Sequence, residues 1–167
     1  FVDLMRVQGY RTGLIGKSHL MNMESREPFY ERPESTGNKK PVPEKFKTAV
    51  PVDHDDSFYQ QEQPQNWSEK SDFQIQLPFY GFEHVDLQTK HGDLVGGDYV
   101  RWLEEKHENS ATLKGPENSL KHEYSAPQAW RTSIPEELYP TSYITKKTVS
   151  FLENVAQGDQ DQPLFLM

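Results

Sequence analysis

Residues 9–20 read Gly9-Tyr10-Arg11-Thr12-Gly13-Leu14-Ile15-Gly16-Lys17-Ser18-His19-Leu20, and how this stretch is read decides the fold. Just before it, Phe1, Leu4, Met5 and Val7 form a helical stripe, and Gly9 sits where a helix stops. Arg11–Gly16 then predicts a short strand centred on Leu14-Ile15. Lys17, Ser18 and His19 follow at its carboxyl end, which is where open α/β sheets bind ligands. Two residues apart on extended backbone, the side chains of Lys17 and His19 point to the same side. An ammonium and an imidazole then meet in one small volume. That suits an anionic tetrahedral group, with Lys neutralising charge and His giving or taking a proton. The same spacing also fits a solvated lysine beside a histidine at the edge of a core. A phosphate loop fits less well: it needs a glycine five residues before Gly16, where Arg11 stands, and a helix from Lys17, where Asn22, Glu24, Ser25 and Pro28 soon follow.

The other end of the chain repeats the theme. After Pro140, Thr141 or Ser142 is positioned to cap a helix, and Ile144, Thr148, Phe151, Leu152 and Val155 fall on one helical face. Gly158 ends it, residues 159–162 make a polar turn, and Leu164–Met167 predicts a buried strand. A helix and a strand at each end predict an α/β fold, a mostly parallel sheet flanked by helices. Residues 21–140 hold 11 of the 12 prolines and little sustained periodicity, which predicts a long irregular Pro-rich insertion. One helix is expected within it near Gly97–His107, with Tyr99, Trp102, Leu103 and Lys106 on one face.

Composition narrows the function. Counted with Gly and without Tyr, apolar residues make 58 of 167, below the roughly 45–50% of an ordinary domain. Aromatics at 12% argue against plain disorder. The net charge of −8 disfavours a nucleic-acid partner, and no apolar run is long enough to span a bilayer. The absence of Cys removes disulfides, zinc-thiolate sites and cysteine nucleophiles from this stretch of chain. An opening on Phe1 and a close on an apolar run point to an internal fragment of a longer protein.

Gly9-Tyr10-Arg11-Thr12 followed by Ile15-Gly16-Lys17-Ser18-His19-Leu20 resembles the sulfatase signature Gly-Tyr-x-Thr-x-x-x-Gly-Lys-Trp-His-Leu. Phe79-Tyr80-Gly81-Phe82-Glu83-His84 is similar to that family's downstream Gly-Phe-Asp landmark. Thr145–Glu153 followed by Gln162-Pro163-Leu164-Phe165-Leu166 resembles the helix and strand that close the first half of its fold. The three occur in the family's order and span the chain. The resemblance implies a partial alkaline-phosphatase-like fold, with residues 1–167 as part of a single sulfatase N-terminal catalytic domain, incomplete at both ends. It implies hydrolysis of a small-molecule sulfate monoester through a formylglycine nucleophile, with a Ca2+ ion on the sulfate oxygens. The nucleophile motif is expected before Phe1, and the calcium ligands outside residues 1–167, so no metal ligand is assigned within them. Lys17 matches the family lysine that contacts sulfate and formylglycine oxygens, and His19 the histidine that takes a proton there. Ser18 departs from the family's usual Trp. His91 lies ten residues after Gly81, near where some relatives place a polar group facing substrate; a surface-loop histidine fits the same position. The alternatives are a phosphodiesterase or phosphonate monoester hydrolase of the same superfamily, and a non-catalytic sulfatase-like binding module.

The remaining candidates read as structural. Asp53-His54-Asp55-Asp56 is expected to be a solvated acidic loop, and Glu104–His107 an exposed helix face. Trp102 is expected in the core, with Tyr80 and Trp130 as aromatic anchors. The Asn66-Trp67-Ser68 pattern for glycosylation is common by chance.

Overall fold

A computed structural model describes residues 1–20, 43–44, 58–68, 72–158 and 161–167; the Asp53–Asp56 run lies outside them. Helix α1 covers Val2–Val7, strand β1 Arg11–Gly16, helix α2 Pro64–Ser68 and strand β2 His84–Thr89. Strand β3 is Gly96–Gly97, helix α3 Asp98–Lys106, helix α4 Pro140–Ala156 and strand β4 Leu164–Leu166. The strands form one mixed, mostly parallel sheet in the order β3-β2-β1-β4. The α/β class and the parallel pairing of the two terminal strands agree with the sequence. No helix among the described residues is long and apolar enough to cross a membrane.

The described chain divides into two compact units. One comprises Phe1–Leu14, His19–Val85 and Asp161–Met167; the other comprises Ile15–Ser18 and Asp86–Gln160.

In the first unit, Gly9 turns the chain out of α1 with φ +88°, a left-handed conformation that favours glycine. β1 then runs parallel to β4, Arg11 facing Leu164 and Gly13 facing Leu166. The Arg11 N–H donates to Pro163 O at 2.9 Å, and the Met167 N–H to Gly13 O at 2.9 Å. Thr12 is fully buried. Its hydroxyl donates to Gly81 O at 2.8 Å and accepts from the Glu83 N–H at 3.1 Å. That explains why a polar residue sits in the middle of a buried strand. Gly81, with φ +90°, packs so closely on α1 that an added Cβ would lie 2.5 Å from Asp3 N. Phe165 of β4 is edge-on to Phe1 at 5.4 Å and stacks on Phe82 at 6.2 Å. Tyr80 anchors as expected, its ring 5.7 Å from Phe58 and 5.2 Å from Phe79.

In the second unit, α3 and α4 bring together Tyr99, Leu103 and Tyr143, all fully buried, with Val95; Trp102, Leu138 and Ile144 pack around them. Two of these tyrosines carry hydroxyls into the core because both find acceptors. Tyr99 donates to Leu138 O at 2.8 Å and Tyr143 to Asp86 Oδ1 at 3.1 Å. Gly97, at φ +77°, lies where a Cβ would fall on the Leu87 carbonyl, so the β2–β3 pairing requires glycine there.

Several expectations are corrected. α4 starts at Pro140 rather than behind a Thr141 or Ser142 cap, because proline fits the first helical position and needs no N–H there. Its buried line runs through Pro140, Tyr143 and Phe151, while Leu152 is exposed. The expected face of Ile144, Thr148, Phe151, Leu152 and Val155 leaves out Tyr143, whose hydroxyl Asp86 satisfies. β4 is half-buried along its length rather than fully buried, as suits the last strand of the four. α3 falls within the expected Gly97–His107, but of its expected face Lys106 is exposed and Trp102 only partly covered.

Candidate functional site

β1 ends at Gly16 with φ +123°, where an added Cβ would meet Ile144 Cδ1 at 3.5 Å. The chain then leaves the sheet and presents Lys17, which is partly exposed. The Lys17 ammonium lies 3.2 Å from Nε2 and 3.5 Å from Nδ1 of His91, a residue 74 positions away. Lysine only donates, so a neutral His91 ring accepts through a nitrogen that carries no proton. With the ring protonated the two cations would repel, and an anion between them would relieve that repulsion.

His19 has φ +54° and is exposed. The alternation argument for Lys17 and His19 therefore lapses, because strand β1 ends at Gly16 and His19 is left-handed. Lys17 and His91 belong to the second unit and His19 to the first. Of the three residues singled out from the sequence, the structure brings Lys17 and His91 together.

His91 opens a cavity of about 680 Å3 within the second unit, lined among others by Asp93, Leu94, Pro127, Trp130 and Tyr139. Lys90 at φ +61° and Gly92 at φ +57° turn the chain after β2, and the 3-10 turn Gly92–Leu94 carries Asp93 inward. Asp93 is only 2% exposed. Its Oδ2 accepts from Trp130 Nε1 at 2.8 Å, while Oδ1 is buried with no hydrogen-bond partner among the described residues. Lys114 lies nearby and donates to Val95 O at 2.8 Å. Burial, helped by the Lys90 charge, holds its pKa below the ordinary lysine value, against the pull of Asp93 and Glu104.

The sequence missed this cavity. Gly92-Asp93 reads as a polar turn, and nothing in the spacing ties a buried carboxylate to an indole 37 residues on. The one usable signal is the pairing of an expected aromatic anchor, Trp130, with a turn directly after His91.

Among the described residues no three His, Cys, Asp or Glu side chains come together in a way that could hold a metal ion. Comparison of the chain with family models, curated proteins and solved structures gives no match.

Proposed function

We propose that the chain is part of the catalytic domain of a sulfuric ester hydrolase of alkaline-phosphatase-like fold, with β2, β3 and α3 of residues 21–140 belonging to the scaffold itself. The observation that carries the reading is the meeting of Lys17 and His91 at 3.2 Å, at the carboxyl end of a strand paired in parallel with β4. Two residues chosen independently, one from the Gly16-Lys17-Ser18-His19 signature and one from its distance to Gly81, form a single polar surface at the end where such sheets bind ligands.

In this reading Lys17 neutralises the charge of the sulfate oxygens, in the bound ester as in the transition state. His91 gives a second polar contact on the substrate side. On the resemblance alone, His19 takes a proton during the chemical step. On the resemblance, a formylglycine outside residues 1–167 would supply the nucleophile and a calcium ion held by residues outside 1–167 would supply electrostatic stabilisation of the sulfate charge. The substrate is a small-molecule sulfate monoester.

The test is sulfate release from 4-nitrophenyl sulfate by the full-length protein, set beside its turnover of bis(4-nitrophenyl) phosphate. Preference for the sulfate, lost on Lys17→Ala, supports the reading. Preference for the phosphate diester transfers the chain to the phosphoesterase branch. No turnover of either leaves the binding-module alternative.

A further inference from the structure

We infer that the cavity behind His91 is a binding site for a compact, mostly apolar anion that also carries a hydroxyl or amine, and that Asp93 is the residue that reads this donor. Three observations lead there. The cavity, at about 680 Å3, has the size of pockets that enclose small molecules. Its walls include Leu94, Pro127, Trp130 and Tyr139, surfaces that favour a flat or aliphatic body over a heavily hydroxylated one. One buried carboxylate sits among them, and it is incompletely satisfied among the described residues.

That side chain is Asp93. Trp130 supplies one donor to Oδ2, and Oδ1 has none among the described residues. A buried carboxylate oxygen without a donor is costly. Oδ1 is buried, so a ligand hydroxyl or amine reaches it through a small turn of the Asp93 carboxylate toward the cavity it lines, and it brings a donor that none of the described residues provides. At the rim, Lys90 and His91 line the cavity and Lys17 touches His91, so positive and hydrogen-bonding groups stand at one end and a carboxylate in the wall. The polarity fits a ligand with its anion at the rim and its donor inside. The anionic end rests on the sulfate-ester reading; the cavity and Asp93 do not.

The probe is 4-hydroxybenzenesulfonate, a stable sulfonate with ring and hydroxyl, compared with benzenesulfonate, which lacks the hydroxyl. Full-length protein labelled with 5-fluorotryptophan is titrated with each and followed by 19F NMR, the Trp130 signal being assigned by its loss in Trp130→Phe. The expected result is a saturable shift of the Trp130 signal, with the hydroxylated probe bound about tenfold or more tightly, as befits a hydrogen bond to a charged group. Asp93→Asn, with its other tryptophan signals unchanged as a check of folding, should reduce that preference to about threefold or less. Lys17→Ala should weaken both probes alike. Equal affinity of the wild type for the two probes overturns the role of Asp93, and absence of a saturable Trp130 shift overturns the site. Binding without sulfate turnover would leave the site standing and remove the hydrolase reading; turnover without probe binding would do the reverse.

Discussion

The Tyr143 hydroxyl donates to Asp86 Oδ1 at 3.1 Å, deep in the core of the second unit. The same oxygen lies 2.8 Å from the Lys147 ammonium, and Lys147 also stands 5.5 Å above the Tyr143 ring. One carboxylate of β2 thus holds two positions of α4, one helical turn apart. Removing the carboxylate leaves a buried hydroxyl without its acceptor. Asp86→Ala should cost about 2–4 kcal/mol, whereas Tyr143→Phe removes a single hydrogen bond and should cost about 1–2 kcal/mol. Urea denaturation of the full-length protein compares the two, and equal costs would mean that the carboxylate matters only through the tyrosine.

Burial and the neighbouring carboxylates of Asp86 and Asp98 hold the Tyr143 phenol far above its ordinary value of 10. The folded state therefore keeps the neutral phenol where the unfolded chain would ionise. Tyr143 adds stability that is fully present below pH 10 and lost as pH rises beyond it. Stability of the wild type should fall more steeply above pH 10 than that of Tyr143→Phe, measured by thermal melts across that range.

Asp98 behaves in the same sense at acid pH. Burial raises its pKa above 3.8 and the Asp86 carboxylate adds to that, while the Leu87 N–H, Arg101 and Lys147 oppose it. The protonated form is favoured in the folded state, so its stabilising contribution is complete below 3.8 and is lost as pH climbs past that value. Asp98→Asn keeps an oxygen to accept from the Leu87 N–H, a bond of 2.8 Å in the wild type. The variant should match or exceed the wild type at neutral pH and lose this part of the pH dependence.

Glycine at position 97 is expected to be irreplaceable. Its φ of +77° and the Leu87 carbonyl in the path of a Cβ together predict a loss of about 2–4 kcal/mol for Gly97→Ala. Gly92, at φ +57° with nothing within 4 Å, should lose only about 1–2 kcal/mol on the same change. The difference between the two, read from urea midpoints, isolates the steric part.

These core relationships also mark what could and could not be read from residues alone. β1, α3 and β4 were legible because their apolar spacing is clean and glycines punctuate it. β2 was not. Its Val85 and Leu87 alternate with Asp86 and Gln88, and both of these polar residues are buried, Asp86 by its tyrosine and lysine partners and Gln88 by the Pro140 carbonyl at 3.2 Å. A strand whose inward polar groups are satisfied by distant elements carries no hydrophobic signal. Lys17 could be singled out because it sits at a strand end, and its contact with His91 was not foreseeable, since 74 residues separate them. Gly92-Asp93 reads as a polar turn, and it is one, but the burial of Asp93 is not legible because the indole that covers it lies far along the chain.

The most direct test of the sulfate-ester reading is steady-state kinetics of the full-length protein on an aryl sulfate, with Lys17, His19 and Ser18 each replaced by Ala. Lys17 faces charge present in both bound substrate and transition state, so Lys17→Ala should lower kcat/KM mainly by raising KM. His19 serves a proton transfer, so His19→Ala should lower kcat by ~10²–10⁴-fold with a smaller effect on KM. Ser18→Ala, between them and without assigned chemistry, should change activity by less than about tenfold. A Ser18→Ala loss as large as that of His19→Ala, or an undiminished kcat/KM in Lys17→Ala, would contradict the account.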